Sequence, residues 1–307
     1  MLGRVKKDSG ELNSRILHTN WAGKHLKFGR GQSRGGSRPQ ILDSIIVGRR
    51  AALHSFKSER LLRRATMRDS TQILISIIIV VFQNRDELQQ ILESVLRNKS
   101  GSAEIVVIDG GSDDGTIDML RAYGSAIDYW VSEPDEGIYD AMNKGIAASR
   151  GRFIYHINAG DRLLYLPISE LLESDAEAYD VVSFSVCVDG RSVFHPVAGW
   201  RLRINNTLHH QGTFYRRSKF PGYNVTFRVF ADFDANQRLA LRGARIKLWD
   251  KVVALYSSGG ASSQRDAAAE LYRVVAANYG NGYVPLTWLD CKFKGLRRRW
   301  ERLSLRR

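Results

Sequence analysis

Three aspartates follow apolar, β-branched stretches of the chain, at the positions where strands are predicted to end. Asp109 and Asp161 follow the stretches 104–108 and 153–157, and Asp135 comes a few residues after a third such stretch. A single acid at such a place is most often a turn residue or a helix cap. Three acids at one edge of a sheet would instead form a site for a polar ligand and a divalent cation.

The elements around these acids alternate between strand and helix. A nearly continuous apolar run over 73–82 predicts a central strand that is covered on both faces. Asn84 and Glu87 stand in capping-box register and predict the start of the next helix. The short links predict right-handed βαβ units, and therefore an α/β fold with a Rossmann-like, mostly parallel sheet and flanking helices. Ligands bind such sheets at the carboxyl ends of the strands, where Asp109 and Asp161 stand.

The segment after the second strand contains several glycines, but its spacing argues against two familiar phosphate-binding motifs. Residues 109–116 lack the spacing and the lysine of a P-loop. Gly110, Gly111 and Gly115 do not fit the dinucleotide fingerprint either. A hydride-transfer enzyme is therefore weakly supported.

Six segments, taken together and in order, resemble the motifs of inverting family-two glycosyltransferases, in particular the subgroup that builds bacterial exopolysaccharides of the colanic-acid type. The resemblance extends over residues 73–265, and the joint pattern is far more specific than any one motif. The segments are 107–116 (VIDGGSDDGT), 132–145 (SEPDEGIYDAMNKG), 158–161 (NAGD), 209–212 (HHQG), 231–234 (ADFD) and 259–262 (GGAS).

The resemblance implies a glycosyltransferase A-type fold, with the catalytic domain over residues 67–265. It implies a UDP- or GDP-sugar donor and a single displacement that inverts the anomeric carbon. The acceptor would be lipid-linked or a glycan, in cell-surface polysaccharide synthesis. A divalent ion, Mg²⁺ or Mn²⁺, would stabilise the leaving diphosphate, and one carboxylate would take the proton of the acceptor hydroxyl.

Carried over by position, the resemblance assigns residues to the nucleotide side of the site. Asp109 would hydrogen-bond the base of the donor. Val81 and Phe82 would line the pocket for that base. Further nucleotide contacts are implied for three residues of the segment 132–145, namely Asp140, Asn143 and Lys144.

On the side of the reacting groups, the resemblance implies that Asp161 binds the metal ion and that Asp232 is the general base. Asp234 is the nearest alternative to Asp232, and a helix-capping role for Asp232 is the structural interpretation. His209 is interpreted as structural. Contacts to the acceptor or the diphosphate are implied for His210, Gln211, Gly259 and Gly260. A strand-end role for His210 and a plain turn at the two glycines stay open.

The chain departs from many relatives at three positions. Asn158 and Gly160 stand where those relatives have acids, so that Asp161 is the only carboxylate of this motif. Met142 stands where they have an arginine. These departures keep a second interpretation open, in which the chain is a non-catalytic homologue that binds a nucleotide sugar.

The net charge of +14 is concentrated at the two ends of the chain. Residues 1–66 hold 15 Lys and Arg against 4 acids, and residues 291–307 hold 8 against 1, which leaves a slightly acidic body. A nucleic-acid-binding protein is therefore a weak alternative, and we expect no specific nucleic acid partner. The leader over 1–66 is expected to be disordered, and translation could start at Met1 or at Met67.

The C-terminal region 266–307 is predicted to be helical and to end in a basic amphipathic helix. Its density of Lys, Arg and aromatic residues favours attachment of 289–303 to the inner leaflet of a membrane over packing on the body. With no transmembrane run, and with Cys187 and Cys291 outside any metal-binding spacing, we expect a cytoplasmic protein at the periphery of the inner membrane. The apolar face consists of Leu289, Phe293, Leu296, Trp300 and Leu303.

Overall fold

The computed structural model describes residues 73–257 and 267–304, with the side chains of 176 and 297–304 excepted. The basic leader over 1–66, Met67 and the pair Gly259 and Gly260 lie outside these ranges. The strands are β1 (Ile75–Val81), β2 (Ala103–Asp109), β3 (Tyr129–Ser132), β4 (Phe153–His156), β5 (Arg162–Leu163), β6 (Val181–Val188), β7 (Ser192–Phe194), β8 (Thr213–Arg216) and β9 (Ile246–Tyr256). The helices are α1 (Arg85–Asn98), α2 (Thr116–Tyr123), α3 (Ile138–Ala148), α4 (Ile168–Ala176), α5 (Ala231–Leu241), α6 (Ala267–Tyr279) and α7 (Val284–Ser304).

The described strands form one sheet in the order β3-β2-β1-β4-β8-β6-β9-β5, with β7 paired to β6. The first four strands of this order are parallel to one another. β8 lies antiparallel between β4 and β6, and β9 is again parallel to β6. The predicted α/β class is confirmed, and its parallel half places the carboxyl ends of β1, β2, β3 and β4 at one edge.

β1 lies inside the parallel half because both of its faces are apolar, and every one of its seven residues is buried. Ile77 and Ile79 belong to one hydrophobic cluster, together with the buried side of α1. Ile78 and Val80 belong to a second cluster on the opposite face, with residues of α3 and α5. Helices therefore cover this part of the sheet on both sides, as the continuous apolar run predicts.

The predicted capping box at the start of α1 is wrong. Asn84 makes no side-chain capping bond, and its Nδ2 instead donates to Glu87 Oε2 at 2.5 Å. The first free backbone N–H of the helix, that of Arg85, donates to Asp114 Oδ2 at 2.9 Å. A carboxylate from the loop after β2 thus replaces the local cap, which ties the two loops at this edge together.

α6 packs against the body through both apolar and polar contacts. Leu271, Val274 and Val275 join the second hydrophobic cluster. The buried carboxylate of Glu270 accepts hydrogen bonds from the backbone N–H groups of three residues that precede α5, at 2.7 to 2.9 Å. The start of α5 is therefore held in place by α6.

α7 leaves the predicted apolar face in contact with solvent. Leu289, Phe293 and Leu296 are 43%, 67% and 62% exposed. Trp300 and Leu303 lie among the residues whose side chains are not described. None of the described helices is long and apolar enough to cross a membrane.

The amino-terminal edge of the sheet is held together by one buried acid, Glu104. Its carboxylate accepts hydrogen bonds from Ser76 Oγ at 2.6 Å and from the backbone N–H groups of Arg150 and Gly151 at 2.6 and 3.2 Å. Arg150 Nε adds a charged contact at 2.8 Å. One side chain of β2 thereby joins β1 to the turn that leads into β4.

We predict that Glu104→Ala lowers the free energy of unfolding by about 2 to 3 kcal/mol, because it leaves buried donors without an acceptor. The control is Glu93→Ala, which removes two exposed contacts, the ion pair with Arg97 and the hydrogen bond from Gln89, and should cost less than about 0.5 kcal/mol. Urea denaturation of both variants measures the difference. Equal losses would contradict the role of Glu104.

Candidate active site

The candidate site lies where β1, β2 and β4 end. Val81 and Asp109 are the last residues of their strands and pair with each other across β1 and β2. The segment that contains Asn158 and Asp161 follows β4 directly. This is the edge at which ligands bind to open α/β sheets.

Phe82 and Val81 were both predicted to line a base pocket, but the structure places them differently. Phe82 is 63% exposed, directly after the end of β1. The side chain of Val81 is buried in the first hydrophobic cluster, and its carbonyl accepts the N–H of Gly110 at 2.9 Å. Phe82 therefore presents an exposed aromatic ring at this edge, whereas the side chain of Val81 belongs to the core.

Asp109 is fully buried, and its carboxylate is engaged inside the protein. Oδ1 accepts from Ser112 Oγ at 2.5 Å. Oδ2 accepts from Ser112 N at 3.0 Å and from Ser132 Oγ at 2.5 Å. Asp109 thus fastens its own loop to the end of β3, and its contact with a base stays a prediction.

The three residues predicted to bind nucleotide on α3 hold neighbouring segments in place. Asn143 uses both polar atoms on the backbone of Tyr223, at 2.8 and 2.9 Å. Lys144 Nζ contacts Pro134 O at 2.8 Å and Glu133 Oε1 at 2.9 Å, and Asp140 lies at 3.7 Å. The hydrogen bond from Lys144 to Glu133 raises the pKa of this lysine. Direct contact with a nucleotide stays a prediction for these residues.

Asp161, the predicted metal ligand, is a buried carboxylate with polar neighbours. Its Oδ2 accepts from Gln211 Nε2 at 2.9 Å and from Asn158 N at 3.3 Å. Burial raises the pKa of Asp161, against the opposing effect of the hydrogen bond from Gln211. Within the described part of the chain no Lys or Arg pairs with Asp161, so a bound cation would offset the cost of this buried charge.

The residues beside Asp161 fit a divalent ion that receives most of its ligands from a substrate. The side-chain oxygen Oδ1 of Asn158 is buried without a hydrogen-bond partner and is a second hard oxygen donor. Residues 73–257 and 267–304 contain no group of three His, Cys, Asp or Glu side chains that could hold a metal alone. Mg²⁺ is commonly bound by one or two carboxylates together with substrate phosphates and water.

Asp232, the predicted base, lies in the first turn of α5 and accepts four hydrogen bonds. Asn206 Nδ2 and His210 Nδ1 reach Oδ2 at 3.0 and 3.3 Å. Phe233 N and Tyr139 Oη reach Oδ1 at 2.8 and 3.4 Å. This carboxylate is part of a network in the site, beyond the helix-capping role that the sequence left open.

Burial alone would raise the pKa of Asp232, but the hydrogen bond and charge of His210, with His209 and Asn206, bring it below its ordinary value. Asp232 is therefore ionised at neutral pH. Asp234, the alternative base, pairs with Arg238 Nε at 2.7 Å and accepts from Asn278 Nδ2 at 3.0 Å. Its contacts anchor α5 to α6, away from this network.

The 3₁₀ turn His210–Gly212 connects the two carboxylates. His210 contacts Asp232, and its neighbour Gln211 contacts Asp161. His210 Nδ1 carries the proton that it donates to Asp232, and Nε2 lies 3.2 Å from Asn158 Nδ2, from which it accepts when the ring is neutral. The segment 209–212 thus contacts both the predicted metal ligand and the predicted base.

Packing explains why this turn ends in glycine. A side-chain carbon at Gly212 would lie 2.4 Å from Phe184 O, so the turn rests directly on β6. Tyr155 Oη donates to Gln211 O at 2.9 Å and fixes the turn from β4. His209 packs between the rings of Phe194 and Tyr256, and burial lowers the pKa of His209 to about 4, in keeping with its structural interpretation.

Sequence reasoning missed Tyr139 and Asn206, two of the donors to Asp232. Tyr139 stands inside the segment 132–145, so a signal for it existed. Asn206 has no local signal, because it lies 26 residues before Asp232 and only the fold brings the two together. Its neighbour Asn205 donates to Asp290 Oδ2 of α7 at 2.9 Å, so adjacent asparagines join Asp232 to the C-terminal helix.

We predict that Asp161→Asn raises the melting temperature of the metal-free protein at pH 7 to 8. The raised pKa of Asp161 means that the ionised carboxylate destabilises the fold, a cost that is present above this pKa and absent below it. The gain should therefore vanish as the pH falls towards 4. Asp118→Asn, on the surface, should change nothing. Thermal melts in EDTA across this pH range test the sign, and a lower melting temperature at pH 8 would contradict it.

Comparison with known proteins agrees with the geometry. The profile of Glycosyl transferase family 2 matches residues 76–239, more than half of the chain. A PGL/p-HBAD biosynthesis glycosyltransferase of Mycobacterium bovis is 31% identical over 205 residues, which cover 62% of this chain and 79% of that protein. EpsH of Bacillus subtilis is 24% identical over 35% of this chain and 32% of its own length.

Among solved structures, S. aureus TarS 1-349 in complex with UDP is similar with a TM-score of 0.54 at 17% identity. The similar region covers 67% of this chain and 65% of that chain, slightly less than two thirds of it. This likeness confirms the glycosyltransferase A-type fold, while the narrower exopolysaccharide subgroup stays a prediction. With the family profile spanning the strands and loops that build the site, the chain belongs to glycosyl transferase family 2.

Proposed function

We propose that the chain transfers a sugar from a UDP- or GDP-linked donor to a lipid-linked or glycan acceptor, with inversion at the anomeric carbon. The supporting observation is the pair of carboxylates, Asp161 and Asp232, that consecutive residues of one turn hold at the carboxyl edge of the sheet. TarS, which shares the fold, has been crystallised with UDP and with UDP-GlcNAc. The resemblance of the six segments to the exopolysaccharide-building subgroup favours a role in exopolysaccharide synthesis.

In the proposed reaction the acceptor oxygen attacks the anomeric carbon while the bond from that carbon to the diphosphate oxygen breaks. The hydroxyl proton passes to the carboxylate of Asp232. The lowered pKa keeps this carboxylate ionised before the reaction, so that it is available as a base. Its longest contacts, those with Tyr139 and His210, are the ones an acceptor hydroxyl would replace most easily.

Asp161 and the free oxygen of Asn158 would hold Mg²⁺ or Mn²⁺ beside the diphosphate. A divalent ion supplies stabilisation of the negative charge that develops on the leaving group. Gln211 would keep the carboxylate of Asp161 in position through its hydrogen bond.

A second candidate is a homologue that binds a nucleotide sugar without transferring it. The observation in its favour is that the carboxylate of Asp232 already accepts four hydrogen bonds within the protein. A carboxylate engaged in this way is less available to accept a proton from an acceptor. The two functions predict the same binding of donor and differ only in transfer.

We predict that Asp232→Asn lowers sugar transfer at least a hundredfold, because a general base contributes about 10²- to 10⁴-fold. Binding of UDP or GDP should change less than about twofold, since Asp232 lies on the acceptor side. Asp250→Asn, with an exposed side chain, is the control and should transfer normally. Assays with a panel of UDP- and GDP-sugars, in the presence of Mn²⁺, measure both quantities.

Three outcomes distinguish the candidates. Loss of transfer with intact binding supports the enzyme. Binding of donor without transfer in the wild-type chain would favour the second candidate. No stabilisation of the wild-type chain by any nucleotide in thermal melts would contradict both.

We also propose that α7 attaches the protein to the inner leaflet of a membrane, from the cytoplasmic side. Its apolar face is exposed, and Lys292 and Lys294 are exposed on the same helix. Lys292 Nζ lies over the ring of Trp288 at 5.4 Å from its centre. Exposed apolar and aromatic residues beside lysines are typical of helices that lie in the interface of an anionic bilayer.

We predict that the double variant Phe293→Ser, Leu296→Ser lowers binding to vesicles at least tenfold. Burying a large apolar side chain contributes about 1.5 to 3 kcal/mol, and each 1.4 kcal/mol is tenfold in affinity. The control is Leu241→Ser, an exposed leucine at the end of α5. Sedimentation with phosphatidylglycerol vesicles and with phosphatidylcholine vesicles measures the effect. Equal binding of wild type and double variant would refute the attachment.

A further inference from the structure

Asn236 is a buried amide that lies one helical turn after Asp232. The two residues are four positions apart on α5 and therefore lie on the same face of the helix. Asn236 is 1% exposed, and both polar atoms of its side chain make hydrogen bonds inside the protein. It does not touch Asp232 itself, but it contacts a residue that does.

The partners of Asn236 determine which way its amide points. Leu208 O lies 3.2 Å from one terminal atom of the amide, and a carbonyl oxygen can only accept, so that atom is Nδ2. The other atom is therefore Oδ1, which accepts from Tyr215 Oη at 2.9 Å. Burial raises the pKa of Tyr215, so its hydroxyl keeps the proton that it donates.

The same reasoning extends from Asn236 to Asn206. The Nδ2 donor of Asn236 lies 3.4 Å from a terminal atom of the Asn206 amide, which must accept and is therefore Oδ1. The Nδ2 of Asn206 then lies on the side of Asp232, 3.0 Å from Oδ2 of its carboxylate. Through Asn236, a backbone carbonyl and a tyrosine hydroxyl thus determine that Asn206 is a donor to Asp232.

The orientation of Asn206 matters because the flipped amide would have the opposite effect. With its oxygen towards Asp232, Asn206 would repel the ionised carboxylate and could accept a hydrogen bond only from the protonated form. Asn206 is also nearer to the carboxylate than His210 and Tyr139 are, at 3.0 Å against 3.3 and 3.4 Å. An acceptor hydroxyl that replaces one of those longer contacts leaves Asn206 in place.

We propose that Asn236 is a positioning residue for Asp232, because it holds Asn206 in the one orientation in which its amide donates to that carboxylate. The proposal rests on the proposed function, in which Asp232 is the base. It adds a residue that acts on the base through another side chain.

Other titratable groups also act on the protonation of Asp232. Burial opposes its ionisation, whereas the hydrogen bond and charge of His210 favour it, as do His209 and Asn206. The effect of Asn236 must be separated from these by a matched control. The titratable groups around Asp232 are His209 and His210 of the turn, Tyr139 of α3, Tyr215 of β8, Tyr223 of the segment before α5, and Glu270 of α6, whose charge acts on Tyr139.

The test measures the pKa of Asp232 by NMR titration of the full chain, labelled with ¹³C at the aspartate carboxyl groups. Asp232→Asn identifies the signal. Asn236→Leu keeps a side chain of similar size but frees Asn206 to turn. The pKa of Asp232 should then rise by about one pH unit or more, the size expected for the loss of a hydrogen bond to a charged group. The control is Gln237→Leu, which removes an equally buried amide that donates to two backbone carbonyls, and it should leave this pKa unchanged.

A double variant distinguishes positioning from a general loss of packing. Asn206→Ala should raise the pKa of Asp232 by a similar amount. Adding Asn236→Leu should then change it by less than about 0.3 pH unit, because Asn236 acts only through Asn206, whereas independent effects would add. Asn236→Ala, which leaves room for water beside Leu208 O, carries the same prediction if the leucine variant does not fold. Melting curves show which variants are folded.

Transfer assays across the same pH range connect the titration to the reaction. As the pH falls, Asn236→Leu should lose kcat at a higher pH than the wild type, by the same interval as the change in pKa, with an unchanged KM for the donor. An unchanged pKa of Asp232 in the folded Asn236 variants, or additive effects in the double variant, overturns the proposal and leaves the proposed function intact. A wild type that transfers sugar from no UDP- or GDP-sugar would instead count against the proposed function, while the titration still decides the role of Asn236.

Discussion

The site depends on the burial of two carboxylates, Asp161 and Asp232, neither of which pairs with a lysine or arginine of the described residues. Asp232 is satisfied by four hydrogen bonds, and Asp161 by hydrogen bonds that leave part of its charge uncompensated. Their pKa values consequently move in opposite directions, downwards for Asp232 and upwards for Asp161. The first therefore stays ionised, as the proposed base must, and the second would be stabilised by a bound cation.

Much of the surrounding fold can be understood as support for the turn between these carboxylates. β4 contributes the Tyr155 hydroxyl, and β6 contributes the surface on which Gly212 rests. β8 begins at the end of the turn, antiparallel to both strands. The mixed half of the sheet therefore positions this turn at the carboxyl edge of the parallel strands.

The sequence predicts the parallel half well, since the apolar run of β1 is a local pattern. It mispredicts the cap of α1, because Asp114, 29 residues away from Arg85, takes over the local role. It identifies Asp161, Asp232, His210 and Gln211 as a group only through resemblance to a family. It could not identify Asn206, or the burial of Asp109, because both depend on contacts between distant segments.

The adjacent contacts of Asn205 and Asn206 have a consequence for how this loop can change in length. Surface loops usually tolerate insertions and deletions. Here Asn205 hydrogen-bonds to α7 and the next residue, Asn206, hydrogen-bonds to Asp232. Their Cα atoms are only about 3.8 Å apart. An extra or missing residue at this point would break one bond or the other. Homologues with a loop of another length must therefore hold the carboxylate that corresponds to Asp232 in a different way. The spacing is thus a criterion for grouping relatives that share the arrangement.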